Sequence, residues 1–143
     1  GPKGDTGPYK YTYSINELKS DDTRWALKTF GKLMEDRSKS YASVIKFIFY
    51  GTEKTPVSTF NMIINIDGDR SDSDDDDDEF IQVRLFDITN AKSIVTMTKV
   101  SGSGNNNKIL TSTNLQNLPI GKAIFEVQAK STYRGYIEFV SLE

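Results

Sequence analysis

The chain has 143 residues, 18 Lys+Arg against 20 Asp+Glu, and neither His nor Cys. A chain of this length is expected to form one domain that buries its own core. The missing Cys and His rule out disulfides, Cys- or His-ligated zinc, iron–sulfur clusters, thiol nucleophiles, Ser-His-Asp triads and a histidine pH switch.

The first eight residues read Gly1-Pro2-Lys3-Gly4-Asp5-Thr6-Gly7-Pro8. Gly1, Gly4 and Gly7 keep the Gly-X-Y period of a collagen triple helix, in which only glycine fits at the crowded axis. Read so, residues 1–8 are the remnant of a longer collagenous stalk. The domain then spans 9–143, and its copy number is three, because collagen chains wind in threes. Read blandly, the same residues are a Gly/Pro-rich tail. Gly1 suggests a trimmed fragment, so the lack of an export signal carries no information.

Beyond residue 8, Tyr9, Tyr11, Tyr13 and Ile15 alternate with polar residues, as a half-buried strand does. Residues 24–30, with Trp25, Leu27 and Thr29, read as a second strand; a helix over 23–35 competes. Tyr41–Tyr50 is the strongest strand, β-branched and aromatic throughout, with apolar residues on both alternating faces. Further strands are expected over Phe60–Asp67, Phe80–Asp87, Ile94–Val100, Lys108–Thr111, Lys122–Lys130 and Arg134–Leu142, separated by Gly, Asn, Pro and Ser clusters. About eight or nine short strands and no helical crossovers predict an all-β, antiparallel β-sandwich of jelly-roll type. No run of about 18 apolar residues is present, so membrane insertion is not expected.

Charge is unevenly placed. Residues 67–79 hold nine acidic residues and one basic one, leaving 17 basic and 11 acidic residues elsewhere, a net of +6. Alternating oxygens at Asp67, Asp69, Asp72 and Asp74 suit a weak Ca²⁺ site, although the run departs from the EF-hand template: Asp72 stands where that loop needs Gly, and Asp78 where it needs Glu. As a solvated, self-repelling hairpin loop the run needs no metal or other cofactor. Either way, three such loops would disfavour nucleic acid and anionic membranes as partners.

Two stretches carry a resemblance. Arg84-Leu85-Phe86-Asp87-Ile88-Thr89-Asn90 and Asn117-Leu118-Pro119-Ile120-Gly121 running into Lys122–Lys130 with Glu126-Val127-Gln128-Ala129 are similar to the C-terminal globular head of collagen-like surface fibre proteins of bacteria, viruses and phages. The resemblance covers about 60 residues (80–142). It implies a homotrimeric, non-enzymatic head that caps a triple helix on a virion or cell surface. The alternative is a host-attachment head that binds a receptor or glycan.

Period two places Phe80, Gln82, Arg84 and Phe86 on one face and Ile81, Val83, Leu85 and Asp87 on the other. It likewise groups Glu126 with Ile124 and Gln128, opposite Phe125, Val127 and Ala129. Arg84 and Glu126 are therefore expected to form a charge-assisted pair in a half-buried sheet or near a trimer axis, or else to point into solvent. Tyr41, Ile45, Phe47, Phe49, Tyr136 and Phe139 complete the core and trimer candidates. Trp25, Tyr50 and Tyr133 are the aromatic candidates for a ligand platform, although burial alone explains aromatics in strands. No phosphate-binding or dinucleotide motif is present, and no carboxylate pair can be placed in a cleft, so an enzyme is not expected.

Overall fold

The computed structural model describes residues 11–15, 32–34, 41–66, 80–97, 100–101, 108–131 and 135–143. They form ten strands: β1 (Tyr11–Ser14), β2 (Lys32–Met34), β3 (Ala42–Phe49), β4 (Phe60–Ile66), β5 (Phe80–Asp87), β6 (Lys92–Thr96), β7 (Val100–Ser101), β8 (Lys108–Ser112), β9 (Ala123–Ser131) and β10 (Gly135–Leu142). Two antiparallel sheets result. The first runs β3-β9-β5-β6, with β7 also paired to β5; the second runs β1-β10-β4-β8, with β2 also paired to β10. The chain is thus all-β, as the turn spacing and alternation predict. The expected strand over Ile94–Val100 is resolved into β6, which starts two residues earlier, and the short β7.

Alternation decides which side chains face inward. Phe60, Met62 and Ile64 of β4, Ile81, Val83 and Leu85 of β5, and Phe125, Val127 and Ala129 of β9 are all buried, each two residues from the next as a pleated strand requires. The two inner faces share one core, the arrangement of a β-sandwich. At its centre Phe49 of β3 stacks on Phe125 of β9, with ring centroids 4.5 Å apart and planes 9° off parallel. Tyr11 of β1 reaches across from the second sheet to Phe47, 5.6 Å between centroids.

Three bulges interrupt the alternation. On β3, Val127 pairs with Ile45 but Gln128 with Ser43, leaving Val44 as the extra residue. Phe47 and Phe49 point inward on one side of it; on the other, Ala42 rather than Tyr41 faces the core, opposite the buried Ala129. A one-residue insertion swaps the faces of everything beyond it. The odd-numbered set Tyr41, Ile45, Phe47 and Phe49 is thereby divided, and Tyr41 stands on the outer face. On β6 the extra residue is Ile94, which lets Ile94 and Val95 both be buried. On β10 it is Glu138.

The sandwich has two unlike ends. Tyr11, Tyr50 and Ala123 lie at one end, where Leu142 pairs with Tyr11 and Phe49 with Ala123. Ile66 pairs with Gly135 and Ile81 with Ser131 at the other. Ile66 and Phe80 therefore lie at the end opposite Tyr11.

Candidate functional site

The outer face of the first sheet carries the polar residues singled out in the sequence. Arg84 of β5 lies opposite Gln128 of β9, and Glu126 opposite Phe86. The Arg84 Nε donates to Gln128 Oε1 at 2.6 Å, and Gln128 Nε2 donates to Glu126 Oε1 at 2.7 Å. The expected link between Arg84 and Glu126 therefore runs through the amide of Gln128. The Arg84 guanidinium also sits between two rings, 4.0 Å from the Tyr41 centroid and 4.7 Å from that of Phe86. Lys130 approaches the Tyr41 ring from 4.8 Å. Each cation–π contact contributes about 0.5–1 kcal/mol when exposed and more when water is excluded. Glu126 keeps only 7% of its surface exposed although it projects from the outer side. The Tyr41 phenol titrates above its ordinary value of 10.0, because burial penalises the phenolate more than Arg84 favours it.

The stretches 87–90 and 117–121 act as braces at the Tyr11 end. Asp87 is buried and closes the β5–β6 turn, accepting from the Asn90 backbone N–H at 3.0 Å and from Asn90 Nδ2 at 2.7 Å. Ala91, the next residue of that turn, has a φ of 56°. Thr89 Oγ1 accepts from Ile124 N at 2.9 Å, and Ile88 N donates to Ile124 O at 2.8 Å, tying that turn to β9. The Leu118-Pro119-Ile120-Gly121 stretch presses against Gly51: Thr52 N donates to Pro119 O at 3.1 Å. Gly51 itself has φ +96°. Sequence reasoning missed Asp87, Gly51 and Gln128 as organising residues; the Asp-Ile-Thr-Asn run just after a strand is a turn signature that would have flagged the first.

The strand following the Gly-X-Y triplets is clamped. Tyr11 is buried, its hydroxyl accepts from Tyr50 N at 2.9 Å, and it shares a 2.7 Å hydrogen bond with Thr55 Oγ1. Its ring touches Phe47, Phe49 and Tyr50. Tyr13 packs on Phe47 at 5.0 Å, and burial raises its phenol above 10.0.

The other sequence candidates fall as follows. Phe47, Phe49 and Tyr136 are buried, Ile45 packs partly against the core, and Phe139 is half-buried on the outer face of the second sheet. Tyr50 is 46% exposed, with the Lys122 ammonium 5.5 Å from its ring. Nearby, an open hollow of about 490 Å³ is lined by Asn90, Lys92, Asn117, Pro119, Ile120 and Lys122 among others. Gly1, Gly4, Gly7, Trp25, the strand expected over 24–30, Asp67, Asp69, Asp72, Asp74 and Tyr133 lie outside the described residues. Among the described residues, no three carboxylates gather into a metal-binding group, and no helix is long and apolar enough to cross a membrane. Comparison of the chain with protein-family models, with curated proteins and with solved structures finds no match.

Proposed function

We propose that residues 9–143 are the head of a collagen-like surface or virion fibre, three copies of which cap a Gly-X-Y triple helix and set its register. The observation that carries this reading is the clamping of Tyr11. Only Tyr9 and Lys10 separate the last proline of the triplets, Pro8, from a tyrosine locked into the core, and covalent geometry limits that three-step span to about 10 Å. A stalk leaving each head at a fixed point, with almost no slack, can be held in register by the heads. Three joined heads raise the effective concentration of three Gly-X-Y segments, so the helix zips from its head end without a three-body encounter.

The strand order supports the finer reading of the fold. Leaving aside the short β2 and β7, the eight longer strands run first-eighth-third-sixth in one sheet and second-seventh-fourth-fifth in the other. That alternation is the pattern of two interlocked Greek keys, a jelly roll. The role is structural and non-enzymatic.

Light scattering coupled to size exclusion tests the proposal. A particle of three times the 16.1 kDa chain mass is expected; a single-chain mass at every concentration overturns it. Loss of the trimer in EDTA would assign the acidic run a structural cation. The alternative, a receptor- or glycan-binding head, draws on the exposed Tyr50 beside Lys122 and the hollow. Glycan binding that disappears in Tyr50→Ala while the mass holds would favour it.

A further inference from the structure

The outer faces of the two sheets differ in kind. On the first, beside the exposed pair Ile48–Ile124, two cross-strand rows read Lys46–Glu126–Phe86–Ser93 and Ser43–Gln128–Arg84–Thr96, with three charged residues among those eight positions. On the second, the rows read Ser14–Phe139–Ile63–Ile109 and Thr12–Ser141–Asn61–Thr111. Those eight positions include no charged residue, in a chain that is 27% charged. Ile109, at the β8 edge, is 65% exposed. Depletion of charge with an aromatic and aliphatic centre is the compositional mark of an interface core.

The polar row of this face is already satisfied from within. Thr111 Oγ1 donates to Asn61 Oδ1 at 2.7 Å, and Asn61 Nδ2 donates to Ser141 Oγ at 3.2 Å and to Glu143 Oε2 at 2.9 Å. Asn65 Nδ2 likewise donates to Glu138 Oε2 at 2.7 Å. The amides and hydroxyls of the row are thus paired within the face, and the two carboxylates that border it, Glu138 and Glu143, each already accept a hydrogen bond that offsets part of their desolvation. On the first sheet the charged groups an approaching surface meets include Lys46, Arg84 and Lys130, of which Lys46 is exposed.

The chain path supplies the occupant. β1, the strand that follows the triplets, is an edge strand of this same sheet and contributes Thr12 and Ser14 to the two rows. With a connector of at most about 10 Å, winding three Gly-X-Y segments together brings three β1 strands, and the sheets they border, close to a common axis.

We infer that the outer face of β1-β10-β4-β8 is the surface on which copies of this chain meet, with Phe139, Ile63 and Ile109 at its centre. The inference rests on the trimeric reading above and names the face that serves it. Around a three-fold axis the contact is heterologous, each face meeting a different patch of the next copy.

The test uses the full chain and four variants. Ile109→Lys and Ser14→Lys place a charge on this face at exposed positions. Ile48→Lys and Ile124→Lys do so on the outer face of the first sheet, at a facing pair of isoleucines 46% and 45% exposed. Light scattering should show the mass falling threefold in the first two, with the far-ultraviolet circular dichroism of the parent chain, and unchanged in the last two. If Ile109→Lys fails to fold, Ser14→Lys decides, since its side chain takes no part in the core. Trimers that survive both Ile109→Lys and Ser14→Lys overturn the inference and leave the fibre-head reading standing. A parent chain that is monomeric removes that reading first.

Discussion

Gly51→Ala is expected to destabilise the fold far more than an exposed glycine substitution normally would. A β-carbon built at Gly51 stands 2.0 Å from the Ile120 carbonyl oxygen and 2.8 Å from its carbon. Carbon–oxygen contacts settle near about 3.3 Å, so the Pro119–Gly121 backbone must retreat by more than about 1 Å. That movement breaks the bond from Thr52 N to Pro119 O, worth about 1 kcal/mol. The φ of +96° adds about 1–2 kcal/mol for any residue with a β-carbon. The sum is about 2–3 kcal/mol, or roughly 10 °C in Tm for a domain near this size. Gly121→Ala is the control: no heavy atom lies within 4 Å of its added carbon, so it should be neutral or stabilise by up to about 1 kcal/mol. Urea unfolding followed by circular dichroism, at one fixed protein concentration because assembly shifts the midpoint, measures both. Equal midpoints for Gly51→Ala and the parent chain would refute the reasoning.

Arg84→Ala should cost about 1–2 kcal/mol through loss of its two ring contacts and its bond to Gln128, and Arg84→Lys should not restore it, because an ammonium lacks the planar fork. A double-mutant cycle with Gln128→Ala should return a coupling of about 1 kcal/mol; additive effects would show that the bond carries no stability. The phenols of Tyr13 and Tyr41 are raised above 10.0 in the fold, by burial in each case. Their contribution is therefore complete below the unfolded value and fades as pH climbs through the folded one. Tm should fall as pH rises from about 10, less steeply in a Tyr13→Phe, Tyr41→Phe double variant; identical slopes would count against it.

The fold was largely legible because most strands keep a strict period of two. The inward set of β5 and β9 follows from alternation alone, and so does that of β4. What alternation cannot register is an extra residue. The bulge at Val44 is defined by how β3 meets β9, a strand some 80 residues away, and nothing within Tyr41–Tyr50 announces it. Tyr41 consequently belongs with Arg84 rather than with Phe47. The same non-locality hid Gln128 between Arg84 and Glu126, and the meeting of Phe139, Ile63 and Ile109, which are scattered in sequence and united only by register. The need for glycine at 51 is equally non-local, because the carbonyl that demands it belongs to Ile120.

The central strand of the second sheet is β10, which pairs with β1, β2 and β4, and Glu143 exchanges backbone hydrogen bonds with Thr59. A ribosome making this chain from its N-terminal side cannot release a foldable domain until residue 142 has cleared the exit tunnel. Every residue before it, Gly1, Gly4 and Gly7 included, has by then been synthesised. Under the fibre-head proposal the stalk would thus be made first and wind last. Because closing this sheet joins segments about 130 residues apart, the slow step of folding would then set when that winding begins.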